Sequence, residues 1–189
     1  MTGERTIIEA LCYLLSKLQK ADKIHLVKLM YLADKYHLMN YGRTITNDKF
    51  DAFENGPGGS RTIDTLEFDP LILGKDLSLA KKLFCKGKGH EYLPGKGCLT
   101  HEFEMLSESD IEALDFVIVN FGRMGKWRVV NYTHTLQEWK QYKDLFEKRL
   151  TSVEPIRTED VLLSPNDEYF HVPEEHIKQS LAILTGTFD

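Results

Sequence analysis

Apolar residues recur at helical spacing from the start of the chain. Ile7, Ile8, Leu11, Leu14, Leu15 and Leu18 share one side of a helix expected over 5–20. Ala21-Asp22 interrupts the pattern, and Asp22 is suited to cap the helix that follows over 23–41. In that second helix Ile24, Leu26, Val27, Leu29, Met30, Tyr31, Leu32, Ala33, Tyr36, Leu38 and Met39 surround the axis instead of lining a stripe. A helix apolar on every side belongs at the buried centre of its domain. Gly42 is placed to stop it.

Beyond Gly42 the pattern shortens. Thr44-Ile45-Thr46 and Lys49–Phe53 flank Asn47-Asp48 and predict a small hairpin turning there. Gly-Pro-Gly-Gly at 56–59 is expected to end the extended run, with Ser60 capping a short helix from Arg61 to about Phe68. Residues 69–105 are punctuated by Asp69-Pro70 and Gly74, with Lys82–Cys85 and Glu102–Met105 as candidate strands around a glycine-rich run. From Ser107 the helical signal returns. Ser107 and Asp110 have the spacing of a capping box, Ile111, Leu114, Val117, Ile118 and Phe121 form the stripe, and Gly122 ends the helix. Helices are expected over Trp127–Tyr132 and Leu136–Leu150, with Thr133 or Thr135 capping the second and Trp139 packing beneath it. Pro155 marks a boundary, and a last helix lies near 174–185. The fold class is mainly α, a helical domain around the buried 23–41 helix with a small β-hairpin or sheet element. The expected division is a domain over 1–165 and a C-terminal helical extension over 166–189 packed on it.

Composition narrows the function classes. A chain of 189 residues with 42% hydrophobic and 28% charged residues can bury a core without metals or disulfides. Three cysteines, Cys12, Cys85 and Cys98, form no CxxC pair, so a disulfide framework is not expected and a reducing cytoplasm fits. MTGERTIIEALCYLLSKLQK reads as an amphipathic helix broken by charge, not as a secretory signal. No segment reaches the roughly 18–20 continuous apolar residues of a membrane span. A net charge of −5 disfavours a general electrostatic grip on nucleic acid.

The run CKGKGHEYLPGKGCLTH is the densest in potential ligands, in the order Cys85-x4-His90-x7-Cys98-x2-His101. Two cysteines and two histidines would complete a zinc tetrahedron, but only the last pair has the spacing of a zinc knuckle. GKGHEYLPGKG lacks the GxxxxGK[ST] spacing of a phosphate loop. The run reads best as a glycine-punctuated turn region facing solvent. GPGGS at 56–60 leads into a helix N-terminus, which suits a phosphate, but a lone glycine cluster is a weak signal and a tight strand-to-helix connection explains it better. Asp34 and His37 share a face of the central helix, as an acid/base pair, half a metal site or a hydrogen-bonded structural pair. His134 and Trp139 sit at a helix junction. No G-x-S-x-G elbow is present and no cysteine has an evident histidine partner, so a nucleophilic enzyme is not expected.

HLVKLMYLADKYHLMNYGRTITNDKFDAFENGP resembles the signature of the SocA/Panacea antitoxin-domain family, which includes GepA-like phage-associated proteins. The matching positions are Lys28, Leu29, Tyr31, Ala33, His37, Leu38, Tyr41, Gly42, Arg43, Ile45, Asp48, Phe50, Ala52, Gly56 and Pro57. A second block, LSESDIEALDFVIVNFG with NYTHTLQEW, is similar to the family's downstream helix and its T-H-x-x-x-x-W motif, through Thr133, His134 and Trp139. The likeness covers roughly 5–165. Gly58-Gly59 departs from it, because relatives usually carry an apolar residue there.

The resemblance implies an antitoxin without enzymatic activity or cofactor, which binds and neutralises a toxin protein encoded by an adjacent gene. An adaptor that delivers its partner to an ATP-dependent protease is the alternative within the family. Tyr31, Asp34, His37, Tyr41 and Arg43 are the expected partner surface or its support, braced by His134 and Trp139. Outside the family, two alternatives stand. One is a metal- or nucleic-acid-binding protein using 85–101 with Lys82, Lys86, Lys88 and Lys96. The other is an enzyme in which Asp34, His37 and His134 converge.

Overall fold

The structure, a computed structural model, describes residues 3–163 and 165–187. Helix α1 (Gly3–Leu18) buries Ile7, Ile8, Leu11, Leu14 and Leu15, the stripe that its spacing announces. A two-residue strand β1 (Ala21–Asp22) leads into α2 (Lys23–Tyr41). The Asp22 carboxylate accepts from the Ile24 backbone N–H (2.9 Å) and from Lys126 Nζ (2.7 Å), so it caps α2 and ties its start to a later helix. Gly42 adopts φ +70°, and its N–H closes onto the Leu38 carbonyl at 2.9 Å. A Cβ there would be strained in the left-handed region and would meet Ile183 Cδ1 at 2.8 Å. As the all-round pattern requires, α2 is the core of the molecule, buried over His25–Lys35 and His37–Met39.

The expected hairpin is displaced by one element. Strand β2 (Phe50–Phe53) turns through Glu54-Asn55 into β3 (Gly56–Gly59), and the two pair antiparallel with Ala52 opposite Pro57. Thr44–Thr46 is not a strand. Gly-Pro-Gly-Gly is thus the return strand and not the end of the extended run. Its glycines explain this, because β3 lies directly against α2. A Cβ on Gly58 would strike Val27 Cγ1 at 2.5 Å, and one on Gly59 would collide with the Asp48 carboxylate. On the other edge β2 pairs with β6 (Val153–Pro155), giving the order β3-β2-β6.

Asp48 also corrects the expected cap of α3 (Ser60–Glu67). Gly59 is the N-cap, and the Ser60 hydroxyl donates to Asp51 instead. The helix N-terminus is satisfied from a distance. The Asp48 carboxylate accepts from Arg61 N (2.9 Å), Thr62 N (2.8 Å) and Thr62 Oγ1 (2.8 Å), as well as from Lys49 N (2.7 Å).

After α4 (Pro70–Leu73), a 3-10 turn (Gly74–Asp76) and α5 (Leu77–Leu83), the run from Cys85 folds as a hairpin of β4 (Phe84–Lys86) and β5 (Glu91–Pro94). The expected strands at Lys82–Cys85 and Glu102–Met105 are therefore misplaced. The partner strand lies inside the glycine-rich run, where β5 also pairs with β1 in the order β1-β5-β4. Met105 cannot join a ladder, because its N–H is held by Glu9 Oε2 at 2.8 Å.

The capping box forms as its spacing predicts. Ser107 and Asp110 cap each other's backbone at the start of α6 (Glu108–Phe121), which ends at Gly122. Helix α7 (Lys126–Thr133) follows. The single helix expected over Leu136–Leu150 is two short ones, α8 (Gln137–Lys140) and α9 (Lys143–Glu147). Between them Tyr142 turns its hydroxyl to the Pro155 carbonyl (2.8 Å). Thr133 and Thr135 donate back to Val130 and Tyr132 of the preceding helix and do not cap α8. A 3-10 turn (Thr158–Leu162) leads to α10 (Glu174–Thr185), where Ser180 Oγ reaches the Met39 carbonyl of α2 at 3.1 Å. The architecture is mainly α with two small antiparallel sheets. No helix among the described residues is long and apolar enough to cross a membrane.

Because Asp48 serves as a remote cap, Asp48→Ala is expected to destabilise the protein by about 2–3 kcal/mol. The measurement is the urea midpoint, with an unchanged slope.

Candidate functional site

The buried helix α2 carries polar side chains along its length, and each must find a partner or remain costly to bury. Lys28 donates to the Pro57 carbonyl of β3 at 2.6 Å. It is nearly sealed from solvent, and burial alone brings its ammonium down from 10.5 to about 7. Tyr31 Oη and Lys35 Nζ both reach Glu138 Oε1 of α8, at 2.9 and 2.8 Å. Lys35 also donates to the Val161 carbonyl at 2.9 Å, and all of this lies in the interior. Burial, with Glu138 next in weight, raises the Tyr31 phenol well above its ordinary value.

One turn further on, Asp34 accepts from Ile45 N (2.8 Å), Thr46 N (3.0 Å) and the Thr46 hydroxyl. It therefore folds the 44–48 turn back against α2. Burial pushes its carboxyl up to about 7, against these donors, which favour the charged form. His37 Nδ1 donates to the Arg43 carbonyl at 2.8 Å, while Nε2 lies 3.0 Å from Ser109 Oγ and 3.1 Å from Asp110 Oδ1. Burial is the largest influence on the His37 pKa and lowers it, against the Arg43 carbonyl and the Asp110 charge, which raise it. Arg43 Nη2 meets the same Asp110 oxygen at 3.0 Å and Ser107 Oγ at 3.2 Å. A serine, a histidine and an aspartate thus meet, but not as a catalytic relay. That relay needs the hydroxyl and the carboxylate on opposite ring nitrogens, and here both face Nε2.

The second block closes the opposite end. His134 stacks on Trp139 (centroids 3.8 Å apart, planes at 7°), and Trp139 stacks on Phe146 at 5.9 Å. The indole N–H donates to the Phe53 carbonyl at 2.8 Å, which fixes α8 to the end of β2. Burial, and next the Lys28 charge, lower the His134 pKa. These rings floor a cavity of about 530 Å³ edged by Glu54, Lys140 and Lys143. Around Gly42 a second cavity, of about 380 Å³, is lined by Leu38, Arg43, Thr44, Asp48 and, from α10, Ile183.

The sequence-expected residues therefore separate. Lys28, Tyr31, Asp34, His37 and Asp48 are interior, Gly56 and Pro57 form the strand that Lys28 grips, and Trp139 is buried. Tyr41, 41% exposed, and Arg43 reach solvent, with Tyr41 Oη on Glu112 at 2.6 Å. Asp34, His37 and His134 are each engaged by different partners, and among the described residues no hydrogen bond links the three.

The four residues of the zinc alternative are likewise not gathered into one cluster. Cys98 is buried beside Cys12, and His101 faces Glu9 at 3.3 Å, while Cys85 is exposed on β4 and His90 in the hairpin turn. Among the described residues no group of three or more His, Cys, Asp or Glu is arranged to hold a metal. Of the lysines of this run, Lys86 pairs with Glu67, which Lys23 also engages. Sequence reasoning missed Lys35 and Glu138. The available signal was a lysine inside a helix apolar on all sides.

The family model described as antitoxin SocA-like, Panacea domain matches residues 26–140, more than half of the chain. The chain belongs to this family. No curated protein and no solved structure matches it at a significant level. The Panacea domain match opens within α2 and ends with α8, so it contains the Lys35–Glu138 pair and both stacked rings of the second block. Helices α1, α9 and α10 lie outside it.

Two outcomes test this internal network. Glu138→Leu strands the Lys35 ammonium with a carbonyl alone and should cost about 3–5 kcal/mol, whereas Lys35→Met/Glu138→Leu should be more stable than the single variant. Calorimetric melting measures both. For Lys28 the folded state binds its proton less tightly than the unfolded state. The penalty is therefore complete below about pH 7 and is relieved as pH rises toward 10.5. Relative to Lys28→Met, the wild-type protein should gain about 2–4 kcal/mol in denaturant stability between pH 7 and 10.

Proposed function

We propose that this Panacea domain protein is an antitoxin that neutralises a toxin protein by direct complex formation, and that it does so as a binding scaffold without catalysis. The toxin is the product of an adjacent gene. The observation that carries this reading is the family match together with the fate of its signature. Most signature side chains are engaged inside the domain, while Tyr41 and Arg43 reach solvent where α2 ends. A tyrosine and an arginine side by side are the residue types that dominate protein interfaces. Steric cover of a partner's active site needs nothing more than such an anchored surface.

The cavity beside Arg43 extends this surface. Its floor is made by Leu38 and Gly42, its far wall by Ile183 of α10, which is half exposed. A partner side chain entering it would touch both the family-matched part and a segment outside the match, which suits a shared scaffold that distinguishes its partners by what surrounds it.

Co-expression with the adjacent-gene product is expected to rescue growth and to yield a co-purifying complex. Failure of both rejects the reading. A shortened partner half-life in the same cells would mark the protease-adaptor alternative instead. Tyr41→Ala and Arg43→Ala are expected to weaken the complex at least about tenfold while shifting Tm by only a few degrees. Trp127→Ala, an exposed aromatic on α7, is the control that should leave affinity unchanged.

A further inference from the structure

The cysteine count alone gave no reason to pair any of the three. The structure brings Cys12, in the middle of α1, and Cys98, in the 3-10 turn Cys98–Thr100, together across 86 residues of chain with Sγ atoms 2.8 Å apart. Cys98 Sγ also lies 3.3 Å from the Cys12 carbonyl. Two sulfurs this close are nearer than ordinary non-bonded contact and within a small adjustment of the roughly 2.05 Å of a disulfide bond. Both are free and buried, while the third thiol, Cys85, is exposed on β4. The surrounding contacts hold the two segments in register. Arg5 reaches Glu104 at 2.9 Å, and Glu9 holds the Met105 N–H at 2.8 Å, so α1 is already fastened to the chain beyond Cys98.

We propose that Cys12 and Cys98 are a redox modification site, a buried dithiol that closes to an intramolecular disulfide on reaction with a low-molecular-weight disulfide.

Cys98 is the entry point. It sits in a single 3-10 turn whose next residues, Leu99 and Thr100, are exposed, so a local opening of that turn presents its sulfur. Cys12 is enclosed by helix on both sides, and burial raises its thiol well above the ordinary range, which makes it the slower nucleophile. The exchange proceeds in two steps. The Cys98 thiolate attacks one sulfur of the small disulfide, breaking its S–S bond and expelling one small thiolate that takes up the Cys98 proton. The Cys12 sulfur then attacks Cys98 Sγ, expelling the second small thiolate, which takes the Cys12 proton. Two protein thiols are oxidised and one small disulfide is reduced to two thiols. The new bond fastens α1 to the segment following β5 and closes a long loop, the case in which a cross-link most restricts the unfolded chain.

The test treats the full-length reduced protein with excess oxidised glutathione, removes it, unfolds the product in N-ethylmaleimide and maps the peptides. The expected product links Cys12 to Cys98 and leaves Cys85 outside the linkage. Its Tm should lie roughly 5–10 °C above that of the reduced protein and return on addition of dithiothreitol. The Tm response should persist in Cys85→Ala and vanish in Cys98→Ala. Maleimide on both Cys12 and Cys98, or glutathione retained on either without a Cys12–Cys98 link, overturns the proposal. Peptide mapping of Cys85→Ala decides the matter even where Cys98→Ala does not fold.

Discussion

Burying Lys35 is the constraint around which the rest of the molecule is arranged. Its ammonium sits at the centre of a helix that is enclosed by other elements, and an isolated charge there would be prohibitive. Glu138 resolves the problem, but only if α8 lies against α2 in one position, with Tyr31 sharing the same carboxylate oxygen. A second donor of Lys35 takes the Val161 carbonyl, so the 3-10 turn after β6 is located by the same atom. Next to Glu138, Trp139 points away toward the Phe53 carbonyl. Two consecutive residues of a four-residue helix therefore join the core helix to the β3-β2-β6 sheet. A helix that short has little stability of its own, and these side-chain anchors hold it in place.

How much of this was legible depends on the range of the interaction. The central helix, its Asp22 cap, its Gly42 stop and the Ser107/Asp110 box are written within a few residues of where they act, and sequence reading found each of them. The errors fall where the deciding partner is distant. Gly-Pro-Gly-Gly reads as a breaker until α2 and the Asp48 carboxylate are seen to occupy the space that side chains would fill. Ser60 looks like a cap, yet Asp48 performs that role from before the hairpin. Leu136–Leu150 has helical composition, but the Tyr142 bond to Pro155 interrupts it.

The candidate site follows the same rule. A signature lists positions without saying which side of each is covered. Tyr31 and Tyr41 both look like recognition residues in a string of letters, yet one is enclosed by Glu138 and Phe50 while the other reaches solvent at the helix end. The difference lies in the elements packed around α2, and most of those come from far along the chain.

That division bears on how a scaffold of this kind can serve as an antitoxin. Polar groups buried and matched in pairs, such as Lys35 with Glu138 or Asp34 with Ile45 and Thr46, tolerate few alternatives, since losing either partner strands the other. They specify one arrangement of helices without touching the exterior. Tyr41 and the exposed α10 wall carry less of this obligation, because water can reach the contacts they lose, whereas Arg43 still answers to the buried Asp110 carboxylate. A family signature concentrated in the interior is therefore what a common frame with interchangeable partners requires. On the proposed function, internal matching holds the frame, and the choice of partner falls to residues at the surface.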